Sequence, residues 1–260
     1  MLATDSKQRF SNRAEDYVRY RPGYPRAVLE LLRDECGFAP ESIVADIGSG
    51  TGILTQMLLE NGNVVHGVEP NAEMRAAGES LLQKYAGFRS VEGSAEATTL
   101  PKASVDFIVV GQAFHWFDPR AAHAEFERVL QPRGWVAVIW NERKQDGTAF
   151  LREYESFLRT FGTDYQKVSE TYPQDRSMRK FFGAGAGGEK SFANEQVFDS
   201  DGLRGRLLSS SYSPPQGHPQ HEPMLAALEK LFAAHAQGGR VRFEYLTHVY
   251  YGQLEARLAE

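Results

Sequence analysis

Between Ser42 and Asn141, short apolar runs alternate with longer stretches of helical periodicity, and this rhythm narrows the possible folds more than any other feature. "SIVADI" (42–47), "NVVHGVE" (63–69), "GFRSVEG" (87–93), "SVDFIVVGQ" (104–112) and "GWVAVIWN" (134–141) read as strands. The intervening segments 52–61, 71–85 and 119–131 read as helices, and another precedes the first strand at 26–36. Strands alternating with helices imply an α/β, doubly wound, mostly parallel sheet. The fourth run is continuously apolar, as in a strand covered on both faces. Gly37 suits a helix C-terminus, Asn71 a helix N-cap and Pro119 a first helical turn.

After Asn141 the rhythm changes. Segment 147–162 reads as an amphipathic helix, and a second helical stretch reaches about Phe182. "GAGAGG" (183–188) reads as a flexible loop, 191–200 as a strand, 222–237 as a helix and 240–254 as a closing strand. The expectation is one domain over 1–260, with 142–190 as a helical insertion after the fifth strand that shapes the pocket.

"ADIGSGTG" (45–52) joins the first strand to its helix. Such a turn aims backbone N–H groups from a helix N-terminus at a ligand. A dinucleotide fingerprint needs a small third residue for close helix–strand packing. Ile53 stands there, and its branched side chain disfavours an NAD(P)-dependent oxidoreductase. Two acids point elsewhere. Asp46 ends the first strand beside the turn, where it can meet an ammonium group. Glu69 ends the second strand 19 residues after Gly50, where an acid can accept ribose hydroxyls. S-adenosylmethionine carries an amino acid at one end and a ribose at the other, and has no pyrophosphate.

Composition excludes little and supports this reading. A net charge of −5 gives no broad basic footprint for nucleic acid or an anionic membrane. No apolar run is long enough for a membrane-spanning helix. The single cysteine, Cys36, fits a reducing, cytoplasmic compartment. "HPQH" (218–221) has no nearby cysteine and makes no zinc site, so no metal is expected. "GAGAGGEKS" (183–191) lacks the lysine directly after glycine that a phosphate-binding loop requires.

"DIGSGTG", "GVEPNAEM", "EGSAEATTLPKASVDFIVVGQAFHWFD" and "RVLQPRGWVAVIWN", in this order, resemble the class I S-adenosylmethionine-dependent methyltransferases. With "FSNRAEDYVRYRPGYP", the set is similar to a small-molecule branch that includes trans-aconitate methyltransferase-like proteins. The resemblance covers roughly residues 10–141. It implies a seven-stranded Rossmann-like sheet and S-adenosylmethionine as cofactor. It places Gly48, Ser49, Gly50 and Gly52 along the methionine moiety, Asp46 at its ammonium, and Glu69 with Pro70 at the ribose. It places Ser94, Ala95 and Glu96 at the adenine, with Ser94 where an aspartate is frequent. Gln112, after the fourth strand, falls near the methionine end.

Ligands of open α/β sheets lie beyond the carboxyl ends of the strands. "GQAFHWFDP" leaves the fourth strand there. Its aromatics read either as core or as pocket wall, and His115 reads as either a base or a hydrogen-bonded spacer. His115, Trp116, Tyr20 and Arg21 are the candidate substrate contacts. In the family the N-terminal segment, here 1–25, closes over the pocket, and guanidinium groups such as Arg19 and Arg21 can pair with carboxylates. The function expected is methyl transfer to a small molecule, with a carboxylate as one candidate acceptor. A non-catalytic S-adenosylmethionine-binding protein is the alternative. Monomer and dimer are both open.

Overall fold

In the computed structural model of the protein, the described residues are 20–165, 175–183 and 186–254. Tyr17, Arg19 and most of the expected 1–25 lid therefore lie outside them. The expected rhythm is present: α1 (Ala27–Cys36), β1 (Ile43–Ile47), α2 (Ile53–Glu60), β2 (Val64–Val68), α3 (Ala72–Leu82), β3 (Phe88–Val91), β4 (Val105–Gly111), α4 (Pro119–Val129) and β5 (Leu130–Arg143). Next come α5 (Ala149–Phe161), α6 (Asp175–Phe182), β6 (Ala186–Phe198), α7 (Ser200–Leu208), α8 (His221–His235) and β7 (Val241–Gly252).

The seven strands form one sheet in the order β3-β2-β1-β4-β5-β7-β6. The first five pair in parallel, and β7 runs antiparallel between β5 and β6. Side chains alternate between the two faces of a strand, and the core divides accordingly. Ala45, Ile47, Ile108, Val110, Val136 and Val138 pack with α4 and α6 on one face. Val44, Val65, Phe107, Val109, Ala137 and Ile139 pack with α1 and α2 on the other. A third cluster joins α5, α7 and α8 to Phe243 and Tyr245 of β7.

Local sequence signals act as expected at several ends. Gly37 closes α1 at φ 70°. The Asn71 side chain accepts from Glu73 N and Met74 N at 3.0 and 2.9 Å. Asp118 caps α4, whose first residue is Pro119. Two features differ from expectation. The 183–188 segment is not wholly a loop, because β6 already begins at Ala186. Its glycines serve close packing: a Cβ on Gly187 would stand 2.8 Å from the Trp135 ring, and one on Gly188 2.6 Å from the Tyr251 hydroxyl. The stretch after β6, which carries no clear helical periodicity, forms α7, capped by Asp199 accepting from Gly202 N at 2.8 Å. Segment 142–190 thus contains α5, α6 and the first residues of β6. No helix among the described residues is long and apolar enough to cross a membrane.

Candidate functional site

A cavity of about 690 Å³ opens beyond the carboxyl ends of the parallel strands. This size suits a cofactor-and-substrate pocket, since such pockets span roughly 300–1,000 Å³. Its first wall comes from the turns after β1, β2, β3 and β4. Asp46, Gly48, Ser49, Gly50, Glu69, Pro70, Ser94, Ala95, Glu96 and Gln112 all line it. Gly52 does not. It lies behind the turn at φ 88°, where a Cβ would stand 2.5 Å from Leu82 Cδ1, so it serves the packing of α2 against α3.

The turn itself requires glycine. Gly48 sits at φ 72°, and a Cβ there would meet the Ala113 Cβ at 2.5 Å. This close approach sets the post-β1 turn directly against the post-β4 turn. Glu69 then fixes the turn from below: its Oε2 accepts from Gly50 N at 2.9 Å, and its Oε1 from Asn71 N at 2.8 Å. Asp46 is 1% exposed. Its Oδ2 accepts from the Thr55 hydroxyl at 2.6 Å, while its buried Oδ1 has no partner. Burial pushes the Asp46 carboxyl up to about 7; the Thr55 hydrogen bond opposes this, and neighbouring Glu69 adds to it. Gln112 holds a strained φ of 58° while its N–H donates to Ile139 O and its side-chain amide to Asn141 O. A non-glycine residue at positive φ is uncommon, and such strain concentrates at functional sites.

The post-β4 turn continues as a short 3-10 segment, Phe114–Trp116. Phe114 is buried against Phe181, but Trp116 is 37% exposed and lines the cavity, so it is pocket wall and not core. His115 lies between the rings of Trp116 and Trp140, at 4.4 and 5.2 Å, with its Nδ1 buried and without a partner. Burial pulls its imidazole down to about 4.

The second wall comes from the chain after residue 139 and from the N-terminal segment. Trp140, Asn141, Arg143, Gln145, Tyr165, Arg206, Tyr212 and Tyr245 line it. Except for the general expectation that 142–190 shapes the pocket, none of these was legible as a site residue. The Asn141 and Asn194 side chains donate to Gly23 O at 3.0 and 2.9 Å and strap the N-terminal segment across β5 and β6. Arg21 lines the cavity and donates to Ser209 O at 2.9 Å. Tyr20 does not line it: its ring lies against Gly205 of α7, which has room for it only because glycine lacks a Cβ. Arg143 donates to Glu155 at 2.5 Å and to the Tyr165 hydroxyl at 3.0 Å. Burial alone would push Glu155 up, but hydrogen bonds from Tyr165 and Arg143 outweigh it and hold the carboxyl below its ordinary range. Glu155 therefore stays ionised as the partner of Arg143, and its other oxygen accepts from Arg159 at 3.0 Å.

A sheet of this order with its seventh strand reversed, a glycine turn after β1, and acids ending β1 and following β2 define the class I methyltransferase fold. Residues 45–138 match the family model described as a methyltransferase domain. An uncharacterized methyltransferase of Mycobacterium tuberculosis is 36% identical over 141 residues, covering 54% of this chain and 55% of that protein. One from Schizosaccharomyces pombe is 36% identical over 135 residues, covering 52% and 53%. The chain thus spans about half the length of these curated relatives. Among solved structures, one described as a type II methyltransferase from Anaeromyxobacter dehalogenans aligns with TM-score 0.64 at 24% identity, over 90% of this chain and 98% of that one. Haemonchus contortus phosphoethanolamine N-methyltransferase 2, solved with phosphomonomethylethanolamine and S-adenosylhomocysteine, aligns with TM-score 0.53 at 16% identity over 97% and 59%.

Proposed function

We propose that the chain transfers a methyl group from S-adenosylmethionine to a small molecule held in the same cavity. The observation that carries this reading is the pair of buried acids flanking the glycine turn. The Asp46 Oδ1 atom is a buried acceptor without a donor, and the cofactor's ammonium supplies one, directly or through water. The Glu69 carboxylate is already oriented by two backbone N–H groups, at the position suited to ribose hydroxyls. Ser94, Ala95 and Glu96 border the adenine position, and Gln112 the methionine end. The same acids disfavour a dinucleotide, because Glu69 takes the Gly50 N–H that a pyrophosphate would need. The solved relative with S-adenosylhomocysteine shares this fold and supports the assignment.

When bound, S-adenosylmethionine supplies a sulfonium methyl for in-line attack by a nucleophile. The protein's part is positioning and exclusion of water. His115 and Trp116 border the acceptor side, together with Arg21, Pro22 and Tyr24 of the N-terminal segment. With its imidazole held near 4, His115 stays neutral at physiological pH and is a weak base. That favours an acceptor needing no proton removal, such as a carboxylate oxygen. A cavity of this size fits a small molecule better than a nucleic acid or a membrane surface, and the single cysteine supports a cytoplasmic setting.

Two measurements test this. S-adenosylmethionine and S-adenosylhomocysteine should each raise the melting temperature, by about 2.7 kcal/mol of stabilisation at a hundredfold excess over Kd, while NAD and NADP leave it unchanged. A shift with the nicotinamide cofactors alone rejects the reading. Release of S-adenosylhomocysteine in the presence of pooled metabolites separates an enzyme from a binding protein. For His115, the turnover rate at saturating cofactor should show no limb between pH 5.5 and 8, and His115→Asn should lower it by less than about tenfold. A limb near pH 6.5 that vanishes in the variant would show that the imidazole is the base.

A further inference from the structure

The second wall holds a buried positive charge that no carboxylate among the described residues balances. Arg206 is 7% exposed, lines the cavity and keeps its charge at any working pH. Its Nη1 donates to Ser210 Oγ at 3.0 Å, its Nε has no partner, and no carboxylate among the described residues pairs with it. A buried guanidinium is normally paired, because leaving one without an anion is costly. Arg143 faces the same cavity but differs in having a carboxylate partner, Glu155, which it shares with Arg159.

The surroundings hold Arg206 in place. Gly205 packs on the Tyr20 ring so closely that a Cβ would stand 2.0 Å from it, which fixes the height of α7. The serine-rich turn after α7 satisfies the helix's own carbonyls: Ser209 Oγ donates to Arg206 O at 2.8 Å, and Ser213 Oγ to Leu207 O at 2.6 Å. These serines stabilise the turn without neutralising the guanidinium. Tyr212 and Tyr245 line the cavity nearby, and the Tyr245 hydroxyl accepts from Arg206 and donates to Gln196 Oε1 at 2.9 Å.

The cavity is therefore polarised. Its first wall carries Asp46 and Glu69, matched to a cationic, hydroxyl-bearing cofactor. Its second carries a cation that no carboxylate among the described residues pairs with. We infer that the acceptor is an anion and that Arg206 anchors its carboxylate, with Tyr212 and Tyr245 beside it. Calling this anion the acceptor rests on the methyl-transfer reading above. A carboxylate fits better than a phosphate monoester, because one unbalanced guanidinium matches one negative charge, and its planar fork matches two carboxylate oxygens.

The test uses the full chain saturated with S-adenosylhomocysteine. Calorimetry is run with aliphatic and aromatic monocarboxylates, each beside its primary amide and a phosphate monoester of similar size. Acids should bind, and their amides should bind at least about 30-fold more weakly. Arg206→Gln should weaken the acids by the same factor while S-adenosylhomocysteine affinity stays within about twofold of wild type. Arg206→Lys, which keeps the charge and loses the fork, should fall between the two, and it decides the matter if Arg206→Gln does not fold. Acids binding no better than amides, or binding equally to the folded variant, overturns the anchor. Phosphate monoesters binding more tightly than carboxylates through Arg206 overturns the carboxylate assignment. Should wild type fail to bind S-adenosylhomocysteine, the methyl-transfer reading falls, and the acid–amide comparison without it still decides the anchor.

Discussion

Glu69→Gln is expected to weaken S-adenosylmethionine binding about 100-fold, read by calorimetry at pH 8. The carboxylate is 8% exposed and holds the N–H groups of Gly50 and Asn71 on separate oxygens. Glutamine turns one of those oxygens into an NH₂ group facing a donor. One buried N–H then loses its partner, and the glycine turn loses the contact that sets its height. Charge-assisted hydrogen bonds contribute about 1.5–3 kcal/mol each, so losing one here and one to the ribose gives about 3 kcal/mol or more. Because the same residue shapes the empty turn, the unliganded variant should also melt earlier. An unchanged binding isotherm would remove Glu69 from the site.

Wild-type affinity for S-adenosylmethionine should rise roughly tenfold per pH unit up to about pH 7 and level off above it, and Asp46→Asn should flatten this profile. The sign follows from the raised pKa. Between about 3.8 and 7 the folded, unliganded chain holds a proton on Asp46 that an unfolded chain has lost. A cationic ammonium favours the ionised form, so binding in that window must release the proton. Above the folded pKa no proton has to leave. Calorimetry at pH 6 in buffers of differing ionisation enthalpy should register the release, and Asp46→Asn should abolish it. At pH 8 the variant should bind roughly 10–100-fold more weakly. Unliganded stability runs the opposite way: this group's contribution falls as pH rises through the same window, and the asparagine variant lacks that slope. A wild-type affinity independent of pH from 5.5 to 8 would place the ammonium elsewhere.

Most of the first wall was readable because it is local. Asp46, the glycines, Glu69, Ser94 to Glu96 and Gln112 sit at strand ends, and the alternation of strands and helices fixes where strand ends lie. The second wall was not readable for the opposite reason. Arg143, Arg206, Tyr212 and Tyr245 come from β5, α7, the turn after it and β7, and only the antiparallel placement of β7 between β5 and β6 brings them together. Nothing in the residues around Arg206 distinguishes it from a solvated arginine, because α7 carries little amphipathic pattern and two glycines. The glycines of 183–188 misled in another way. A glycine run signals freedom when read alone, yet Gly187 and Gly188 are small because the Trp135 and Tyr251 rings cover them. Trp116 was ambiguous for lack of tertiary information: an aromatic after a strand can turn either way, and here it faces the cavity.

The two walls are also drawn mostly from separate stretches of the chain. Every acid assigned to the cofactor lies before residue 97, the methyltransferase family model ends at residue 138, and the cation inferred to anchor the acceptor lies at residue 206. Substitutions in β7 and the helices before it therefore alter the second wall while leaving the acids of the first in place. A lineage built this way can change what it modifies without relearning how to hold the donor.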